Sequence, residues 1–152
     1  MTFKRERDNM KSGLIRAFQT DKSAETEGKA IVLPGTENED GTQPTFYVAR
    51  AHKRNRLYQK QVSRLFKDHQ EEMRLGTMDD VVAEEKMTEA FLLGCVKGWD
   101  NVQDENGDVM PFSIENARVV FDALPELLEA LQDKSTNLET YRMATREDSA
   151  KN

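Results

Sequence analysis

The fold of this chain is decided by one stretch, residues 98–113, which reads GWDNVQDENGDVMPFS. It contains the chain's one tryptophan, Trp99, and an Asn106-Gly107 pair. Asn-Gly readily takes the positive φ angles that a type I′ hairpin turn requires. Ser113 is a preferred helix N-cap residue, and apolar residues follow it at helical spacing. The stretch therefore predicts a small hairpin that leads directly into a helix.

The sequence on either side of this stretch predicts about four helices. Upstream, the spacing of apolar residues favours one helix over residues 48–73 and a second over residues 77–97. Downstream, one helix begins after Ser113. Another begins at Pro125, because proline is tolerated at the first position of a helix.

Two short segments predict strands. Residues 29–33 and 45–48 are rich in β-branched or aromatic residues. The segment between them, residues 34–44, contains Pro, Gly, Asn and Asp and is therefore predicted to be a loop. The simplest interpretation is a hairpin with a long, flexible tip that packs on the helices, since a bare hairpin is marginally stable.

The predicted fold class is mainly α: a small single domain of about four helices, with one or two short β-hairpins and flexible termini. The chain has 152 residues, of which 37% are hydrophobic and 33% charged, so the core is modest. Residues 1–27 are predicted to be a flexible N-terminal arm that orders on a partner or packs back on the body. Residues 28–143 form the mainly helical domain. Residues 144–152 form a flexible tail, and fraying is expected from about residue 141.

Several features of the composition limit the cellular setting. No apolar run approaches the ~20 residues of a transmembrane helix, so no membrane contact is expected. The N-terminus lacks the apolar stretch of a secretion signal. One cysteine cannot form an internal disulfide and is compatible with a reducing cytosol.

The sequence predicts no catalytic, cofactor-binding or metal site. Cys95 lies in an apolar helical pattern and is expected to be a small buried residue. The two histidines, His52 and His69, have no ligand spacing that suggests zinc. The acidic turn at residues 104–108 lacks the first and last carboxylates of a calcium loop and is better explained as a hairpin turn. We therefore expect a protein that is not an enzyme.

A basic stripe recurs at helical spacing in the predicted helix over residues 48–73. Residues 50–67 contain seven Lys or Arg and no acid. Such a stripe is usually a solvated face or pairs with acids elsewhere, and tracking a nucleic-acid backbone is the less favoured interpretation. Its members considered for partner binding are Lys53, Arg56, Lys60 and Arg64.

Residues 28–143 resemble the tail assembly chaperones of long-tailed, siphovirus-type bacteriophages. The resemblance depends on an ordered series of short motifs. These are Val96-Lys97-Gly98-Trp99, the turn from Asp104 to Asp108, Met110-Pro111-Phe112-Ser113 and Glu115-Asn116-Ala117.

The resemblance implies a role in virion morphogenesis in the host cell cytoplasm. Such chaperones bind the tape measure protein, keep it soluble and promote polymerisation of the tail tube, and they are absent from the mature virion. Many have a second form, extended by ribosomal frameshifting, that recruits the major tail tube protein. Self-association remains open.

Two sets of residues are expected to serve this role. Partner binding is assigned to the basic stripe and to four apolar residues, Met87, Phe91, Leu128 and Leu131. A structural role is assigned to the residues of the motif, namely Trp99, Asn106, Gly107, Pro111, Phe112, Ser113 and Asn116.

Two alternatives stay open. The chain could be a structural minor tail or connector protein of the virion, which predicts that it is present in purified particles. It could also be a nucleic-acid-binding regulator that uses residues 50–67, which predicts salt-dependent binding.

Overall fold

A computed structural model describes residues 11–143. Over this range the chain is a small, mainly helical domain with one three-stranded antiparallel sheet. The strands are β1 (Lys29–Ile31), β2 (Thr45–Val48) and β3 (Val96–Asp100). The helices are α1 (Gly13–Phe18), α2 (Lys22–Glu27), α3 (Arg56–Phe66), α4 (Gln70–Leu75), α5 (Asp80–Gly94), α6 (Ile114–Ala123), α7 (Pro125–Thr136) and α8 (Leu138–Tyr141), with a 3₁₀ turn at Lys67–His69.

The sheet has the order β1-β2-β3 and is larger than predicted. The predicted hairpin forms, with Ile31 of β1 opposite Phe46 of β2. The third strand, β3, begins at Val96, inside the segment that the sequence predicts to be helical as far as residue 97. That helix instead ends at Gly94, and Trp99 pairs with Phe46 from the other side. The predicted boundary is wrong because pairing with a strand about fifty residues earlier outweighs the local helical pattern.

A bulge sets which side chains of β3 face the core. The pairing register shifts between Tyr47 and Val48, so that Tyr47 faces Gly98 whereas Val48 faces Val96. The extra residue in β3 lets Val96 and Trp99 both point inward although they are three positions apart.

The core lies between this sheet and three helices. The buried residues of α5, α6 and α7 pack against the inward residues of the strands in one apolar cluster. Its members include Ile31, Phe46, Val48, Phe91, Leu92, Val96, Trp99, Ala117, Val120, Phe121, Leu128 and Leu131.

The helix predicted over residues 48–73 is divided in the structure. Helix α3 begins only at Arg56, because the Asn55 side chain caps it by accepting a hydrogen bond from Tyr58 N at 3.1 Å. Asn55 is buried, and its Nδ2 also donates to Arg50 O and Gly94 O, at 3.0 and 3.2 Å. One asparagine thus joins the start of α3 to the end of α5.

The crossing of α3 and α5 depends on Gly94. A Cβ at this position would lie 2.6 Å from Tyr58 Cα, which is backbone and cannot rotate away. We expect Gly94→Ala to lower the free energy of unfolding by about 1–3 kcal/mol, as overpacking does. Gly98→Ala is the matched control, because nothing lies within 4 Å of its added Cβ. Equal urea midpoints for both variants would contradict this packing.

Residues from the two predicted flexible ends pack on the body. Glu25 of α2 is buried and pairs with Arg50 Nη1 at 2.7 Å. Tyr141 and Met143 are also buried, so the fraying expected from about residue 141 is wrong as far as residue 143. The packed unit therefore extends to both sides of the predicted domain boundary at residue 28. Residues 1–10 and 144–152 lie outside the described residues.

Glu25 makes stability depend on pH. Burial raises its pKa, but hydrogen bonds from Thr20 Oγ1 (2.5 Å) and Arg50 Nη1 outweigh burial, so the pKa lies below the usual 4.5. A lowered pKa stabilises the fold above pH 4.5, and this contribution is lost as the pH falls through the folded-state pKa. We expect Glu25→Gln to cost about 2 kcal/mol at pH 7.

The measurement is urea unfolding of both proteins between pH 7 and pH 3. The difference between wild type and Glu25→Gln should begin to shrink below about pH 4.5 and should narrow further as the pH falls through the lowered folded-state pKa of Glu25. Glu27→Gln, which changes an exposed carboxylate on the same helix, is the control. A difference that stays constant with pH would contradict the assignment.

Candidate functional site: an acid-rimmed apolar groove

Trp99 joins three parts of the chain. Its indole Nε1 donates a hydrogen bond to Met110 O at 2.8 Å, and its ring lies among the core residues with 6% of its surface exposed. It makes edge-to-face contacts with Phe46 and Phe112, with ring centroids 6.1 and 5.1 Å apart. Trp99 thereby fixes the chain that leaves β3 and leads into α6.

The turn that follows is an aspartate-stabilised turn. Asp104 Oδ1 accepts hydrogen bonds from the backbone N–H groups of Asn106 and Asp108, at 2.9 and 3.0 Å. Gly107 has a φ of 82°, but Asn106 does not have a positive φ. The predicted type I′ turn, which needs positive φ at both residues, is therefore wrong. A single bridge between Gln103 and Val109 closes the turn.

Side-chain hydrogen bonds tie this turn to the loop between β1 and β2. Gln103 Nε2 donates to Asp40 Oδ2 at 2.9 Å, and Asn38 Nδ2 donates to Asn101 O at the same distance. The loop at residues 34–44, predicted to be a flexible tip, is thus held against residues 101–103.

The helix start predicted at Ser113 is confirmed. Ser113 Oγ accepts from Asn116 N at 3.0 Å, which caps α6. Asn116 Nδ2 donates to Pro111 O at 2.8 Å and fixes the approach to the cap. These contacts set the position of α6 relative to the turn.

The turn, the loop and the α6–α7 corner enclose an open groove of about 630 Å³. Its base includes Phe46, Val102, Met110 and Val120, and its outer wall is Val119 and Leu124 of the corner. Val119 and Leu124 are 61% and 53% exposed, so apolar side chains reach solvent here.

The rim of the groove is negatively charged. Asp104 and Glu105 line it, and no Lys, Arg or His does so within residues 11–143. Asp40 is next to the rim, because its carboxylate accepts a hydrogen bond from Gln103, which lines the groove. Hydrogen bonds from Thr42 and Gln103 hold the pKa of Asp40 below its usual value. An apolar base with an acidic rim is complementary to an apolar segment flanked by cations.

The apolar residues predicted to bind a partner do not form an exposed surface. Phe91, Leu128 and Leu131 are buried in the core, and of the four only Met87 is exposed, at 38%. That part of the prediction is corrected, because the helical pattern that identified these residues marks the face turned toward the sheet. The groove was missed, although Val119 lies off the core-facing positions of α6 and could have indicated it.

The basic stripe is exposed, and its members form no ion pairs within residues 11–143. Arg56, Lys60 and Arg64 lie on α3, and Lys53 lies in the turn before it rather than in a helix. None of the four makes an ion pair with a described residue. Arg64 instead donates to Gln61 Oε1. The interpretation that acids elsewhere in the chain neutralise this stripe is not supported by the described contacts.

The groups considered for chemistry are dispersed in the described part of the chain. Cys95 is fully buried, and burial raises the pKa of its thiol to about 12, which disfavours the reactive thiolate form. Between residues 11 and 143, no group of three or more His, Cys, Asp or Glu side chains is placed to hold a metal ion. Over the same range, every helix is too short or too polar to cross a bilayer.

The fold and the groove define a small, mainly helical domain with an acid-rimmed apolar surface. Residues 53–152 match the family described as YdaY prophage protein, and the chain belongs to this family. It is therefore a phage-derived protein. The match covers α3 to α8, including most of the groove. No curated protein and no solved structure matches the chain.

Proposed function

We propose that this chain is a phage tail assembly chaperone that acts as a binding protein rather than an enzyme. It would bind the tape measure protein in the host cytoplasm, keep it soluble and promote polymerisation of the tail tube, and leave before the virion matures. The observation that carries the proposal is the acid-rimmed apolar groove. Membership of a prophage family supports the phage setting.

The groove suits a helical client with apolar side chains. A helix laid in a groove buries side chains at positions i, i+3, i+4 and i+7. A groove of about 630 Å³ is within the size that holds several such side chains. Asp104 and Glu105 would pair with Lys or Arg at the edge of the client, and rim charges of this kind favour fast, reversible association. Recruitment of the major tail tube protein, through a frameshift-extended form, belongs to the same proposal.

The test is co-expression with the tape measure protein encoded by the same prophage. We expect the client to be soluble and to co-purify with the wild type. Val119→Asp together with Leu124→Asp should reduce the recovered client at least tenfold, because two charges would then lie in the apolar wall. Val81→Asp is the control, since Val81 is as exposed, at 63%, but lies on α5 outside the groove. Equal recovery with all three proteins would contradict the proposal.

The exposed basic stripe supports a second candidate, a nucleic-acid-binding regulator. Removing Arg56, Lys60 and Arg64 together would then weaken binding to a DNA duplex and reduce the dependence of its affinity on salt. Binding that is absent, or unchanged in the triple variant, would remove this candidate.

A further inference from the structure

Helix α1 presents an apolar face that the rest of the described chain does not cover. Leu14 and Phe18 are 74% and 64% exposed, and Ile15 is also exposed. The helix has six residues, none of them buried. A helix this short is marginal without packing, so this face is suited to a contact that residues 11–143 of one chain do not supply.

The described residues hold the C-terminal end of α1 in place and leave this face open. Met143 N donates to Gln19 O at 3.3 Å, and Arg142 Nε donates to Ala17 O at 3.2 Å. Thr20 forms a bridge with Arg142. The apolar side chains are therefore presented from a fixed base rather than from a loose end.

We propose that α1 of one copy docks in the acid-rimmed groove of a second copy. The groove needs an apolar segment flanked by cations, and α1 provides one between Lys11 and Lys22. The two halves of the chain also have net charges of opposite sign. Residues 1–76 carry 15 Lys or Arg and 11 acids, whereas residues 77–152 carry 7 Lys or Arg and 17 acids. Residues beside α1 and residues lining the groove are separate sets, so one copy can use both.

This contact is heterologous, because it joins two different surfaces. A pair joined by one such contact keeps a free α1 on one copy and a free groove on the other, so association runs head to tail into a ring or an open chain. Because a client would compete with α1 for the groove, copies would cover one another's apolar surface until a client displaces them. That last consequence rests on the proposed function; the self-association does not.

The experiment is sedimentation velocity of the full chain over increasing concentration at low and high salt. We expect the wild type to grow in mass with concentration and to shrink at high salt. Phe18→Asp and Leu124→Asp should each remain monomeric. Their equimolar mixture should form a one-to-one dimer and stop there, because only one intact α1 and one intact groove remain.

The outcomes separate this inference from the client proposal. A wild type that stays monomeric at all concentrations overturns the docking of α1, whatever the tape measure experiment shows. A mixture that fails to dimerise also overturns it, as does a Phe18→Asp protein that still associates. Leu14→Asp and Val119→Asp form a second pair, and Val32→Asp, which changes an exposed residue just after β1, should associate like the wild type.

Discussion

Trp99→Ala is expected to lower the free energy of unfolding by about 3–5 kcal/mol, the cost of removing a large core aromatic. The indole fills the space between Phe46 and Phe112, and its N–H satisfies Met110 O. Its loss would leave a cavity beneath the turn and a carbonyl without its donor. Urea unfolding followed by circular dichroism measures the effect, since the variant lacks the chain's one tryptophan.

Trp99→Phe separates the two contributions of the indole. It keeps an aromatic ring against Phe46 and Phe112 but removes the donor to Met110 O, so we expect a smaller loss than for alanine. A Trp99→Ala protein that loses less than ~1 kcal/mol would indicate instead an exposed binding residue, whose removal affects association more than folding.

Tyr141→Ala is expected to have an effect of similar size, about 3–5 kcal/mol. The ring is fully buried, and its hydroxyl donates to Val48 O in the central strand at 2.8 Å. Its backbone carbonyl accepts from Asp21 N at 2.8 Å, so the residue holds both ends of the described chain to the sheet. Burial also raises the pKa of Tyr141, which therefore stays neutral at physiological pH.

Two phenylalanine variants provide the comparison. Tyr141→Phe keeps the ring but leaves Val48 O without this donor, which costs about 1–2 kcal/mol. Tyr47→Phe also removes a tyrosine hydroxyl, one that donates to Asp100 on the exposed face of the sheet, and should cost little. If Tyr141→Ala unfolds at the same urea concentration as Tyr47→Phe, the C-terminal end is not part of the core.

The features predicted well from the sequence are those set by neighbouring residues. The cap at Ser113 depends on a hydrogen bond three residues along, and the helix start at Pro125 depends on its fixed φ. The β1–β2 hairpin follows from two strongly β-forming segments.

The features missed are those set by distant residues. β3 forms because Trp99 and Val96 pair with a strand about fifty residues away, a contact that no local pattern contains. Tyr141 lies in a polar segment, and its burial becomes clear only from contacts with distant residues, such as its hydrogen bond to Val48 O, 93 positions earlier. From the sequence alone, Glu25 cannot be distinguished from a surface charge, because its ion pair with Arg50 is formed only in the fold.

The groove was missed for a related reason. It is formed by three segments that are separate in sequence, the loop before β2, the turn after β3 and the α6–α7 corner. The sequence of each segment, taken alone, predicts only a loop or a solvent-exposed helix. The helical pattern instead selected Phe91, Leu128 and Leu131, which apolar spacing identifies as core rather than as surface.

Binding of the tape measure protein in the groove can be tested by cross-linking in cells. A photo-cross-linking amino acid would replace Leu124 in the groove wall or, as a control, Val81 on α5, with the tape measure protein co-expressed. We expect a cross-linked product with the tape measure protein from position 124 and none from position 81. No product from position 124, or equal products from both positions, would contradict it.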